Sequence, residues 1–296
     1  MLDLKRKTRF SSMDIIVSIL LVGVSIYIIY RVKIGLHYKW NWGSIPQYFF
    51  FFDAESGKFK ANLFVLGVLT TLRLSIWVAI LAIIFGTVIG LFRTSRKLFQ
   101  NMAGRLYVEL VRNIPPIVVI FISYYFFAGW IMSIIGVDEF IRSRSAGMQR
   151  IIGILSAPPA LFPEFLSAVI ALALFEGAYV AEIIRAGIQS IEKGQWEASY
   201  SLGLKKWQQM RYVILPQAMQ RILPALAGQF ISVVKDSSIA SVISIQELTF
   251  QGTQMMITTY FTIEIWIVVG VLYLVMCLSV SLIARKLEIY MSKGWY

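Results

Sequence analysis

Ionisable side chains within apolar stretches are the residues of this sequence that could take part in chemistry. They are Arg73, Glu176, Glu182, Lys235 and Asp236, together with Glu109 and Arg112 near the end of another apolar stretch. A charged group placed within a membrane is costly and usually faces the bundle interior or a water-filled cavity. Because this set supplies both donors and acceptors, it could line a path for a ligand that carries both charges.

A structural role is the alternative for the same residues. Lys235 and Asp236 are adjacent, and Glu182 lies three residues before Arg185, so each pair could form an ion pair near a helix end. Arg73 lies deeper in its apolar stretch, as does Glu176, and for these two both interpretations stay open.

Catalytic and metal-binding constellations are missing from the sequence. It contains one cysteine, Cys277, and one histidine, His37, so neither a disulfide framework nor a site of several imidazoles is available. No G-x-x-x-x-G-K-[ST] phosphate loop and no HExxH motif occurs. We therefore predict a non-enzymatic chain that holds no metal and no cofactor of its own.

Composition places the chain in a membrane. Hydrophobic residues make up 58% and charged residues 15% of its 296 residues, against about 45–50% and about 25% in soluble domains. Crossing a hydrocarbon core takes roughly 20 apolar residues of helix. Six stretches satisfy this and predict an all-α, polytopic membrane bundle: 14–34, 62–92, 107–134, 161–184, 222–246 and 262–284.

The loops alternate in positive charge. The N-terminus, the second and fourth loops and the C-terminus carry 17 lysines and arginines, against 8 in the opposite set. Positive loops face the cytosol, so both termini are predicted to be cytosolic. Topology thus explains the net charge of +12, and nucleic-acid binding is not expected.

A polar cytosolic segment, 185–221, carries the most specific pattern. Residues 195–202 favour a short helix, which Gly203 would end in the left-handed conformation. A second short helix is predicted from Lys205 to Ile214, stopping before Pro216. Trp196 and Tyr200 lie four residues apart, on one face. The segment predicts a helix–glycine–helix knob whose aromatic side chains either rest against the bilayer or fit a partner.

In the knob, Glu197-Ala198-Ser199 is followed four residues on by Gly203 and then by Val213-Ile214-Leu215-Pro216. This pattern closely resembles the EAA signature of ABC-importer permeases, with Ser199 and Val213 as conservative departures. Further motifs resemble the polar amino-acid uptake branch of the family, in family order: Glu109 to Pro115, Ala178 to Gly187, Leu215 to Ala218, Lys235-Asp236 and Gln246-Glu247-Leu248.

The resemblance implies a five-helix type I importer core over 62–290 with its coupling helix near 194–216, preceded by an extra N-terminal helix and an outer loop in 1–61. It also implies partners: an ABC ATP-binding subunit that binds ATP-Mg, a second permease subunit (identical or related) and an extracytoplasmic solute-binding protein. The residues implied to contact the ATP-binding subunit are Trp196, Glu197, Ala198, Ser199, Tyr200, Gly203, Leu204 and Pro216.

The implied function is import of polar amino acids across the bacterial cytoplasmic membrane by alternating access. Arg73 and Lys235 favour glutamate, aspartate or glutamine as substrate. An ion-gradient-driven secondary amino-acid transporter is the alternative, although the paired broken helices of two similar halves expected of that class are not evident. A channel would need repeated filter residues or an arginine-rich voltage helix, and the sequence contains neither.

Overall fold

The structure, a computed structural model, describes residues 11–35, 38, 40–55 and 57–293. Within these residues the chain is almost entirely helical, with one two-stranded sheet. The all-α prediction is therefore confirmed. Five of the lysines and arginines counted for the topology lie outside the described residues: Lys5, Arg6, Lys7, Arg9 and Lys39. The one histidine, His37, also lies outside them.

The chain divides into two compact units, Met1–Trp42 and Gly43–Tyr296. The first contains helix α1, Ser12–Gly35, which corresponds to the predicted span 14–34. Apolar side chains are exposed around this helix, as lipid contact would allow. The indole rings of Trp40 and Trp42 stack at 6.0 Å between centroids.

The second unit begins at Gly43 and contains the strand pair and all the described helices after α1. Residues before α2 belong to it because the rings of Tyr48 and Phe49 pack on buried Phe64. Its strands and helices are, in chain order, β1 Phe50–Asp53, β2 Lys58–Ala61, α2 Leu63–Thr94, α3 Leu98–Asn113, α4 Pro116–Ile122, α5 Gly129–Ile135, α6 Val137–Arg142, α7 Ala146–Leu155, α8 Phe162–Gln189, α9 Lys193–Ser201, α10 Lys206–Gln208, α11 Leu215–Asp236, α12 Leu248–Thr259 and α13 Thr262–Lys293.

Four helical segments of the described chain are long and apolar enough to cross a membrane, or five if one bent helix pair counts as a single span. The four are Leu63–Thr94, Pro159–Gln189, Lys206–Ile243 and Thr262–Lys286. The bent pair joins α3 to the helices from Pro116 to Met132. The stretch predicted as the third span, 107–134, is not one continuous helix, because the chain leaves the helix at Ile114 and Pro115. Proline donates no backbone hydrogen bond and disfavours a helical conformation at the preceding residue.

Helix α8 is the centre of the bundle, and α2 is its main neighbour. Alanines along α8 are fully buried, among them Ala168, Ala171, Ala173, Ala178 and Ala181. Small residues allow helix backbones to approach closely in a membrane. On α2, Gly86 and Gly90 lie four residues apart and face α8: a Cβ built on Gly86 would lie 2.5 Å from the Val180 side chain, and one on Gly90 would lie 2.8 Å from Ile184. These two glycines therefore permit the close packing of α2 on α8.

A buried carboxylate at the start of α12 joins three helices. Glu247 is fully buried and caps α12, accepting hydrogen bonds of 2.8 Å from the backbone N–H groups of Thr249 and Phe250. Its Oε2 also accepts a hydrogen bond from Tyr273 Oη on α13 at 2.7 Å and a longer one from Thr71 Oγ1 on α2 at 3.4 Å. The Gln246-Glu247-Leu248 motif therefore has a structural role in fixing α12 against α2 and α13.

Candidate functional site

The polar segment after α8 forms a compact knob, which we define as residues 193–208, α9 to α10. Gly203 ends its first helix with φ +74, and its N–H donates a 2.9 Å hydrogen bond to Tyr200 O. This left-handed conformation suits glycine because a Cβ would crowd the following carbonyl. The predictions of a short helix ending at Gly203 and of the left-handed glycine are confirmed.

The outward surface of the knob is apolar and aromatic. Tyr200, Leu202 and Trp207 are 76%, 78% and 70% exposed. Glu197 and Ala198 are exposed beside them. Leu202 and Trp207 were not among the residues selected from the sequence, although both flank the turn at Gly203. Such a cluster of exposed large apolar side chains is the usual mark of a binding surface.

Two of the predicted contact residues face the knob's own bundle. Ser199 is 2% exposed, and its hydroxyl donates to Trp196 O at 2.8 Å. The indole of Trp196 is half-buried against a core cluster that includes Ile188 and Ile214. Trp196 and Tyr200 therefore do not present one common outward face, because the packing of the knob on α8 and α11 draws Trp196 inward. Leu204 is half-buried.

The second half of the knob continues without interruption into α11. Helix α10 passes into a π-helical turn, Gln209–Ile214, and this turn into α11. The prediction that the helix stops before Pro216 is wrong. Pro216 is tolerated because it follows the π-helical turn and lies at the start of α11, where a missing N–H costs little. The knob is thus mechanically continuous with the helix that runs through the bundle.

Side-chain hydrogen bonds fix the knob to α11 and fix α11 to the end of α8. Gln217 Nε2 on α11 donates to Gln195 Oε1 on α9 at 3.2 Å. Gln209 Nε2 donates to Leu204 O at 2.9 Å. Arg221 on α11 donates to Ser190 O, after the end of α8. Movement of the knob would therefore be transmitted to α8 and α11 together.

An ion cluster lies on the same end of α8. The Glu182 carboxylate pairs with Arg185 on its own helix and with Arg93 at the end of α2. The prediction of a Glu182–Arg185 ion pair is confirmed, and the additional partner Arg93 connects α2 to α8. Sequence reasoning could not find that partner, since 89 residues separate it from Glu182.

Glu176 lies on α8 with its side chain facing α11. The residue is 1% exposed, and its Oε2 accepts a 2.6 Å hydrogen bond from Gln229 Nε2. The carboxyl group of Asp236, half-buried near the end of α11, interacts with that of Glu176. Oε1 of Glu176 is the one buried side-chain oxygen or nitrogen in the described part of the chain without a hydrogen-bond partner at normal distance. Gln229 was not selected from the sequence, although it lies seven residues before Asp236 and so on the same helix face.

The remaining predicted pathway residues lie in different environments. Arg73 is half-buried in α2 and has no carboxylate within ion-pair distance among the described residues. Arg112 is exposed at the end of α3, with its guanidinium 5.2 Å from the ring centroid of Tyr179. Lys235 is exposed on α11 and makes no ion pair with Asp236 in the described structure. The structure brings Glu176 and Asp236 together, and among the described residues neither carboxylate forms an ion pair with Arg73 or Arg112.

Comparison with known proteins agrees with this arrangement of bundle and knob. Residues 82–292 match the family described as binding-protein-dependent transport system inner membrane component. The chain belongs to this family. The matched range includes the knob, the ion cluster and the Glu176 region, and it leaves out α1 and the strand pair.

Relatives of this transport-system inner membrane component include permeases with named substrates. The glutamine transport system permease protein GlnP of Escherichia coli (strain K12) is 34% identical over 225 residues, covering 73% of this chain and 89% of that protein. The glutamate/aspartate import permease protein GltK of Escherichia coli O6:H1 is 28% identical over 252 residues, covering 85% and 98%. A crystal structure of an amino acid ABC transporter with histidines superposes with a TM-score of 0.61 at 34% identity, covering 77% of this chain and 94% of that chain.

Proposed function

We propose that this chain is the permease subunit of an ATP-driven ABC importer for polar amino acids in the bacterial cytoplasmic membrane. Glutamate, aspartate and glutamine are the leading substrates, as the names of the two curated relatives and the basic residues Arg73 and Lys235 both favour. The observation that carries the proposal is the knob, whose exposed Tyr200, Leu202 and Trp207 form an apolar surface joined rigidly to the bundle.

The proposed partners follow from the same surface and from the family. An ABC ATP-binding subunit, which would hold ATP-Mg, would dock on the knob from the cytosol. A second permease subunit, identical or related, would complete the path, and a solute-binding protein would deliver the amino acid on the opposite side. Both termini would then be cytosolic, as the loop charges favour.

The proposed mechanism is alternating access, with the knob as the moving part. Closure of two ATP-binding subunits would displace the two knobs. Because each knob is continuous with α11, whose Arg221 donates a hydrogen bond to Ser190 O after the end of α8, its displacement would change how these helices pack. A bundle with two discrete packings can pass between inward-open and outward-open states.

Uptake into proteoliposomes tests the proposal against the alternative of a secondary transporter. The permease is reconstituted with its ATP-binding subunit, and the solute-binding protein is supplied on the opposite side. We expect uptake of radiolabelled glutamine or glutamate that requires ATP and persists when ionophores dissipate the ion gradients. Uptake driven by a sodium or proton gradient without ATP would favour the secondary transporter. Competition by each amino acid in turn then identifies the substrate.

Substitution of Arg73 tests whether this residue lines the proposed substrate pathway. Its half-buried guanidinium has no carboxylate partner among the described residues, so it is available to a substrate carboxylate. We expect Arg73→Gln to raise the KM for uptake by roughly tenfold, because a hydrogen bond to a charged group contributes about 1.5–3 kcal/mol net of exchange with water. Arg105→Gln is the matched control, since Arg105 pairs with Glu109 on the exposed surface of α3. An unchanged KM in Arg73→Gln would remove Arg73 from the pathway.

A further inference from the structure

The strand pair before α2 has two chemically different faces. Strands β1 and β2 pair antiparallel, with Phe52 opposite Phe59, Phe51 opposite Lys60 and Asp53 opposite Lys58. Directly opposed residues share a face, and successive residues alternate between faces. One face therefore carries Phe50, Phe52, Phe59 and Ala61, and the other carries Phe51, Asp53, Lys58 and Lys60. We call these the aromatic face and the charged face.

The aromatic face is left uncovered by the unit to which it belongs. Phe50, Phe52 and Phe59 are 55%, 59% and 74% exposed. The rings of Phe52 and Phe59 pack against each other edge to face, 5.4 Å between centroids. On the opposite side an ion pair joins Lys60 to Asp53. An isolated two-stranded hairpin is marginally stable in water. We therefore expect the three exposed phenylalanines to be covered by another apolar surface.

The hairpin is fixed at the start of a membrane span. Asn62 directly follows β2, and its N–H donates to Phe49 O at 2.9 Å while its side-chain amide donates to Gln47 O at 2.7 Å. The next residue, Leu63, begins α2. Two residues of chain reach at most about 7 Å, a distance similar to the depth of the headgroup layer on each side of the hydrocarbon core. The base of the hairpin is thus tethered at the height of the membrane–water interface.

We propose that this hairpin is an interfacial membrane anchor that lies along the bilayer surface. Its aromatic face would contact lipid, and Lys58 and Lys60 on its charged face would contact water and lipid phosphate. Surfaces that bind protein partners carry a polar rim around a core in which phenylalanine is also enriched. The residues that dominate their binding energy, however, are most often tryptophan, tyrosine and arginine. The aromatic face instead contains only phenylalanine and alanine, with its charges on the reverse side, which is the arrangement of elements that lie in the interface plane. The proposal concerns a region outside the matched family range and does not depend on the transported substrate.

Site-directed spin labelling measures the depth of each face. In a Cys277→Ser background, which removes the one native cysteine, single labels are placed by Phe59→Cys and Lys58→Cys, neighbours on opposite faces. The protein is reconstituted in vesicles of phosphatidylcholine and phosphatidylglycerol, and collision with oxygen is compared with collision with a water-soluble nickel chelate. We expect the label at position 59 to collide more often with oxygen and several-fold less often with the chelate than the label at position 58.

Ala61→Cys provides a second label on the aromatic face that keeps all three phenylalanines in place, in case Phe59→Cys disturbs the hairpin. Its label should share the oxygen preference of position 59. Equal and high chelate collision at positions 58, 59 and 61 would overturn the proposal, because the hairpin would then stand in water. The proposal would also be overturned if positions 59 and 61 became protected from both reagents only when the solute-binding protein is added. In that case the aromatic face would bind that protein.

Discussion

Gly203→Val is expected to lower ATP-dependent uptake by about tenfold while ATP hydrolysis by the assembled complex continues. The residue occupies the left-handed region at φ +74, and a Cβ built on it would meet nothing within 4 Å. The effect of valine is therefore strain in the backbone rather than a steric clash. A left-handed conformation costs roughly 1–2 kcal/mol for a residue with a Cβ, which disfavours the turn that sets the angle between α9 and α10. Substrate uptake and phosphate release, measured on the same proteoliposomes, give the coupling ratio.

Two further variants separate this mechanism from a general loss of folding. Gly203→Asn should retain most of the uptake, since asparagine is among the few residues that tolerate the left-handed region. Gly194→Val is the matched control in the same knob, because Gly194 has open space around it without positive φ. Normal coupled transport by Gly203→Val would show that the knob does not transmit work.

Gly86→Val is expected to destabilise the bundle, whatever the transported substrate. The new Cβ would lie 2.5 Å from Val180 Cβ and 2.8 Å from Gly177 O, and neither atom can move without shifting the α8 backbone. Overpacking of this kind costs about 1–3 kcal/mol. We expect the apparent melting temperature of the detergent-solubilised protein to fall by about 5–10 °C, with a smaller monodisperse fraction in size-exclusion chromatography.

Gly270→Val supplies the comparison for Gly86→Val. It introduces the same side chain into another long apolar helix, α13, at a position where a Cβ meets nothing within 4 Å. Its melting temperature should stay close to that of the unsubstituted protein. Equal losses in both variants would attribute the effect to valine in a membrane helix and not to the contact between α2 and α8.

The unequal success of the helix predictions has a local cause. The predicted spans 62–92 and 262–284 lie within α2, Leu63–Thr94, and α13, Thr262–Lys293, apart from residue 62, because long apolar runs without proline admit little besides helix in a membrane. The third span broke at Pro115, where the missing N–H and the restricted preceding residue end α3. At Pro216, by contrast, the predicted end of the helix did not occur. The π-helical turn places this proline in the first turn of α11, where a missing N–H costs little.

The amino-acid sequence by itself determined the membrane character, the family signature around Gly203 and the left-handed turn, because these depend on composition and on short-range spacing. Only the tertiary structure decided which side of the knob faces outward. Ser199 and Trp196 are drawn toward the bundle by contacts with the ends of distant helices, and Leu202 and Trp207 are left exposed. The same holds for Arg93 beside Glu182 and for Gln229 beside Glu176. Such pairs arise from the packing of separate helices, and no local pattern of residues specifies that packing.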